Sequence, residues 1–162
     1  MNRNTSLRAL CWAAVVLWMA LIFFFSSQPA EESSQTSSPF VRAYLSLVHP
    51  GFGSLSPEEQ FALEEDASFL VRKTAHFSIY AMLGALAYSA VSTALSGSAP
   101  RIPLSFLIGA LYAVSDEIHQ SFVPGRSCEL RDMAIDSAGV LLGVLIASGI
   151  AALLRRKRKK EI

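Results

Sequence analysis

Cysteine is nearly missing from this 162-residue chain, which has only Cys11 and Cys128. Cys11 lies inside an apolar run and Cys128 in a short loop, at depths too different for pairing, so no disulfide framework is expected. Histidine is also sparse, at three residues. His-Glu-x-x-His, Gly-x-Ser-x-Gly and Cys-x-x-Cys are all absent, which removes the familiar zinc-protease, serine-hydrolase and thiol-redox signatures. Net charge is only +1, and nucleic acid is not an expected partner.

What the chain has instead is apolar residues. Hydrophobic types make up 52% of it and its mean hydropathy is +0.39, so the lipid bilayer is the expected solvent, for a single domain over residues 1–162. Four apolar segments stand out, at about residues 9–25, 69–95, 102–120 and 133–154. The first is longer than the core of a usual signal peptide and ends without a small-x-small cleavage site, so it is read as a retained span. The third is short for a span, at about 18 residues to His119. Arg155, Arg156, Lys157, Arg158, Lys159 and Lys160 follow the fourth. Together with Arg3, Arg8 and Arg101 they place both termini on the cytoplasmic side. The expected fold is all-α: a four-helix transmembrane bundle with an outward-facing polar layer and one extracytoplasmic loop, about residues 26–68, carrying short helices.

Within that loop the opening Glu-Glu-Ser-Ser-Gln-Thr-Ser-Ser buries too little apolar surface to repay its ordering entropy and is expected to stay mobile. Residues 39–48 read as a short amphipathic helix. Ser56-Pro57-Glu58-Glu59 reads as a helix start, with serine as N-cap, proline at the first helical position and Glu59 placed to close a capping box. Glu64, Glu65 and Asp66 are expected on a solvated face, and His49 and Cys128 are expected to be exposed.

Ionisable residues gather at one end of the spans. Lys73, His76, Tyr80 and Gly84 recur at helical spacing, as do Gly109, Tyr112, Asp116 and His119, and Asp132, Asp136, Gly139 and Gly143. Pro124-Gly125 is a turn signal that folds the last two faces toward each other. Asp136 lies one helical turn inside Asp132, where an unpaired charge costs on the order of 2.5 to 3.5 kcal/mol. Lys73, His76 or Arg126 is its expected partner.

Three readings of this layer stand open. In the first it binds an anion, with Arg72, Lys73 and Arg126 as contacts and His76, Tyr80, Asp116, Glu117, His119, Gln120, Asp132 and Asp136 shaping the pocket. In the second it is a membrane-embedded metal-dependent hydrolase or transferase, drawing ligands from His76, His119, Asp116, Glu117 and Asp136. No spacing matches a known metal motif, so neither a metal ligand nor a cofactor is assigned. In the third the chain is a non-catalytic interaction protein. Asp116, Glu117, Asp132 and Asp136 are then neutralised by Arg72, Lys73, Arg126 and Arg131 in a network that locks the spans, and Gly139-x-x-x-Gly143 is a close helix contact.

Four motifs occur together in this order: Phe25-Ser26-Ser27-Gln28-Pro29; Arg72-Lys73-x-Ala75-His76-Phe77 with Tyr80 and Gly84; Asp116-Glu117-x-His119-Gln120-x-Phe122-x-Pro124-Gly125-Arg126; and Asp132-x-x-x-Asp136-x-x-Gly139. In this the chain resembles the VanZ-like family over about residues 23–143. That family comprises small multi-pass bacterial membrane proteins, named for a member linked to low-level resistance to the lipoglycopeptide teicoplanin, which acts at the outer membrane face. The resemblance implies a bacterial cytoplasmic membrane location and a resistance phenotype, with no established reaction, substrate or cofactor. The partners expected besides lipid are an anionic lipid headgroup, an envelope precursor or a lipoglycopeptide.

Overall fold

Every apolar run becomes a helix, because a chain out of water must satisfy its backbone polar groups internally. The structure, a computed structural model, describes residues 3–95 and 100–160; the side chains of Arg3, Lys159 and Lys160, and residues 96–99, lie outside that set. Among the described residues five helices follow one another: α1 (Arg3–Ser26), α2 (Ala30–Val48), α3 (Pro57–Ala94), α4 (Arg101–Gln120) and α5 (Leu130–Lys160), with a 3-10 turn, Phe52–Ser54, between α2 and α3. Three of them, α1, α3 and α5, are long and apolar enough to cross a membrane. α4 has the length but also carries Asp116 and Glu117.

Their surfaces run opposite to those of a water-soluble bundle. Leu10, Leu17 and Phe24 on α1, Leu111 on α4 and Ile146 and Leu153 on α5 all point outward and are more than half exposed. The core between the helices holds small or polar-tipped residues as well as aliphatic ones, among them Tyr80, Ala87, Ala113, Val140 and Val144. Contiguous apolar surface of this kind belongs against lipid.

α3 is the hub, packing against all four other helices. Glycine sets its distance from α5. A Cβ on Gly84 would strike the Val140 carbonyl, one on Gly139 the Phe77 carbonyl, and one on Gly143 the Ala81 carbonyl, so α3 and α5 meet backbone to backbone and run in the same direction. Gly109 of α4 receives the Val140 side chain. The Gly139-x-x-x-Gly143 pair is therefore a helix contact.

Polar tips fix the remaining register. Trp18 Nε1 donates to the Ile79 carbonyl at 2.9 Å, and Tyr112 Oη donates to the Met19 carbonyl at 2.6 Å, tying α1 to α3 and α4. At the opposite end Arg8 Nη2 donates to the Ala94 carbonyl at 2.8 Å and Arg101 Nη2 to the Leu95 carbonyl at 3.1 Å. These arginines satisfy carbonyls that the end of α3 leaves without intrahelical partners. α1 and α4 thus run one way, and α3 and α5 the other.

The helix start before α3 forms as expected. Ser56 Oγ accepts from the Glu59 N–H at 3.3 Å while Glu59 Oε2 accepts from the Ser56 N–H at 2.9 Å, closing the capping box. The segment before it departs from expectation. α2 begins at Ala30, so the serine-rich stretch is helical rather than mobile, and the helix continues through Pro39 to Val48. Two contacts supply what composition lacks. The Ala30 N–H donates to the Pro124 carbonyl at 3.2 Å, and Val41 and Leu45 pack on Phe52 and Ala67.

Candidate functional site

Ser26 closes α1, Gln120 closes α4 and Asp132 lies in the first turn of α5, so three helix ends converge on the middle of α3. The stripe Lys73, His76, Tyr80 and Gly84 faces them residue by residue. Lys73 Nζ pairs with Asp132 Oδ2, both side chains being about four-fifths buried. His76 Nδ1 stands 3.8 Å from Asp136 Oδ1, an ion-pair separation longer than a hydrogen bond. Tyr80 Oη donates to Asp116 Oδ2 at 2.8 Å.

Asp116 is 3% exposed and collects two further donors on the same oxygen: Ser26 Oγ at 2.8 Å and Gln120 Nε2 at 3.2 Å. Glu117, 1% exposed, accepts the Glu129 N–H at 2.7 Å, which stabilises the start of α5 by placing a carboxylate at the positive end of that helix. These carboxylates hold α1, α3, α4 and α5 together. Asp136 is different. It is 1% exposed, and neither carboxylate oxygen has a hydrogen-bond partner among the described residues. Of its three expected partners only His76 faces it, because Lys73 is taken by Asp132 and Arg126 lies in the α4–α5 loop.

The cations divide in the same way. Arg131 Nη2 is 3.2 Å from Glu129 Oε2, and Lys73 is held by Asp132. Arg126 donates from Nε to the Gln28 carbonyl and from Nη1 to Gln120 Oε1, both at 3.0 Å and both to neutral acceptors. Among the described residues no carboxylate lies within ion-pair distance of Arg72 or Arg126. Burial and the adjacent Arg72 charge push the Arg126 guanidinium below its ordinary pKa, against the opposing pull of Asp116 and Glu117.

Two cavities meet at these arginines. The larger, of about 460 Å³, lies among α1, α2 and α3; its walls are largely apolar, with Ile22, Phe25, Phe40, Val71, Ala75 and Ile79, and hydroxyls from Ser33, Thr36 and Ser37 line its α2 side. The smaller, of about 210 Å³, is polar and includes Lys73, Gln120, Glu129, Arg131 and Asp132. Ser33, Arg72, His76 and Arg126 line both. A cationic junction thus separates an apolar chamber from a polar one.

His119 takes no part in the junction. Its ring stacks on Phe23 at 4.5 Å between centroids, and its Nε2 lies 3.2 Å from Ser27 Oγ. Ser27 Oγ already donates to the Phe23 carbonyl at 2.7 Å, so its oxygen accepts from the ring N–H. His76 and His119 therefore face different partners, and among the described residues no three His, Cys, Asp or Glu side chains gather closely enough to hold a metal ion. Sequence reasoning missed four contributors, Ser26 and three residues of α2. Ser26 was visible in the Phe-Ser-Ser-Gln-Pro motif, whereas nothing in the composition of Ser33, Thr36 and Ser37 marks them as a cavity wall.

An all-helical protein whose apolar residues face outward and whose charges line an internal layer belongs to the helical membrane proteins. A family model described as VanZ/LLP1 matches residues 11–154, most of the chain. The chain belongs to the VanZ/LLP1 family. No curated protein and no solved structure matches it.

Proposed function

We propose that this VanZ-family membrane protein binds an anionic amphiphile, with the charged group at Arg72 and Arg126 and the apolar part in the larger cavity. The observation that carries this reading is the pair of guanidiniums left without carboxylate partners at the mouth of an apolar chamber. Arginine suits the task because its planar fork bonds a phosphate or carboxylate through two N–H groups at once. The chamber's volume falls within the range of about 300 to 1,000 Å³ usual for small-molecule sites. An anionic lipid, an envelope precursor and a lipoglycopeptide such as teicoplanin each combine an acidic group with an apolar chain, and the last connects the site to a resistance role.

The same reading sets the protein in the bacterial cytoplasmic membrane as one domain with four spans and both termini cytoplasmic. α4 supports the fourth span, since its first residue meets Leu95 at one end of the bundle and its last meets Ser26 at the other. Its 20 residues reach roughly 30 Å, the thickness of a bilayer core. The basic ends then face the cytoplasm and the cationic junction faces outward.

A purely structural polar network is the second reading, and specific pairs favour it for part of the layer. Lys73 with Asp132, Asp116 with its three donors, and Glu117 with the start of α5 are all accounted for as fastening. Arg72 and Asp136 are not. Titrating detergent-purified protein with hexadecyl phosphate and with hexadecanol distinguishes the two. The anion reading expects only the phosphate to bind, and Arg126→Lys to weaken it by about tenfold despite the retained charge. Equal binding of both probes would remove the anion from the account.

A further inference from the structure

Charge balance at the junction narrows the class of anion. Four cationic side chains line the smaller cavity, Arg72, Lys73, Arg126 and Arg131, against two carboxylates, Glu129 and Asp132. Each carboxylate already has its own cation: Asp132 holds Lys73, and Glu129 holds Arg131. The charges left over are those of Arg72 and Arg126.

The buried carboxylates behind the cavity are in ion-pair contact with neither arginine, although Asp116 and Glu117 offset part of the Arg126 charge from a distance. Asp116 is bonded to Ser26, Tyr80 and Gln120, Glu117 to the Glu129 N–H, and Asp136 looks toward His76. Gln120 stands between Asp116 and Arg126, accepting from the arginine through Oε1 and donating to the carboxylate through Nε2. Two positive charges therefore stand side by side, each a two-pronged donor, and each repels the other until a ligand intervenes.

We infer, resting on the anion reading above, that the ligand head is a doubly charged phosphate monoester or terminal diphosphate borne on a long apolar chain. A phosphate monoester carries roughly −1.5 to −2 charges near neutral pH and offers three oxygens, enough to engage both guanidiniums. A phosphodiester carries a single negative charge and leaves one arginine uncompensated in a half-buried site. The chain runs from the junction into the larger cavity between Ile22, Phe40, Val71 and Ile79. The polar cavity beyond the junction has space for the distal phosphate of a diphosphate.

The test compares three probes on the full-length protein in detergent at about pH 8, where the monoester is dianionic. They are hexadecyl phosphate, hexadecyl methyl phosphate as the diester of the same chain, and inorganic phosphate. The monoester is expected to bind at least about tenfold more tightly than the diester, and inorganic phosphate at least about a hundredfold more weakly than the monoester. Arg72→Gln removes a side chain that gives up no bond in the folded protein, so the variant is expected to keep its melting temperature. Its preference for monoester over diester is expected to fall to within about twofold, because one remaining cation balances one charge. If diester and monoester bind equally to the wild type and both weaken in Arg72→Gln, the dianion inference fails and the anion site stands. If all three probes are indifferent to the substitution, both fail. If inorganic phosphate matches hexadecyl phosphate, the site holds free phosphate and the tail assignment is overturned.

Discussion

Asp116 and Asp136 are both sealed inside the bundle, yet their surroundings treat them as opposites. Asp116 Oδ2 is the acceptor for three side-chain donors, while its Oδ1 has no partner among the described residues. Asp116→Asn can keep an oxygen toward those donors and turn its amide to the empty side, so only charge assistance is lost. Asp116→Ala strands them all, at about 1 to 3 kcal/mol for each donor left unsatisfied. Thermal unfolding in detergent should therefore rank wild type above Asp116→Asn and place Asp116→Ala well below both. Asp136 has no donor to strand. Asp136→Asn is expected to leave the melting temperature within the shift of about 1 kcal/mol and, because Asp136 lines neither cavity, to leave hexadecyl phosphate binding no weaker than in the wild type. A destabilisation of about 3 to 5 kcal/mol would instead mark it as half of a buried pair with His76. The facing stripes were legible in the sequence because residues three and four apart share a helix face. Which opposing residue each would meet was not, since spacing leaves the axial offset between helices free. That offset is what gives Lys73 to Asp132 and leaves Asp136 to His76.

At the level of helices, the glycines of α5 offer a controlled comparison. A Cβ at Gly143 has no room beside the Ala81 carbonyl, whereas one at Gly149 meets nothing within 4 Å. Gly143→Ala should destabilise by about 1 to 3 kcal/mol through forced separation of α3 and α5. Gly149→Ala should stabilise by roughly 0.5 to 1 kcal/mol, the ordinary gain of alanine over glycine inside a helix. Paired melting curves check both signs. α1, α3 and α5 were legible as apolar runs, and the start of α3 as a capping box. The first half of α2 was not, because its helicity comes from tertiary contact: the Ala30 bond to Pro124, and the packing of Val41 and Leu45 further along. The α2 side of the candidate cavity went unseen for that reason.

For the molecule as a whole, the proposed orientation decides which solution the junction faces. Cys128 is free and exposed in the α4–α5 loop, two residues from Arg126. In intact cells it should react with a membrane-impermeant thiol reagent, while a cysteine introduced at Arg101 should react only after the membrane is opened. Protection of Cys128, or outside labelling at Arg101, would invert the arrangement. The proposed orientation rests on the charge asymmetry of the ends, a feature of the sequence alone. The chamber was not readable, because it needs α1, α2 and α3 to part around a space, and no single helix records that.

Arg126 fastens the joint after α1 to the end of α4 through Gln28 and Gln120, and it also forms part of the wall of both cavities. The folded chain alone brings these groups together, so any ligand that engages Arg126 there binds the native state and not the unfolded one. Occupancy and folding are then linked by mass action: at a concentration a hundredfold above its dissociation constant, such a ligand raises stability by about 2.7 kcal/mol. The protein's own melting temperature becomes the assay, and a library of membrane amphiphiles can be ranked by it without knowing beforehand what the protein does with the one it prefers.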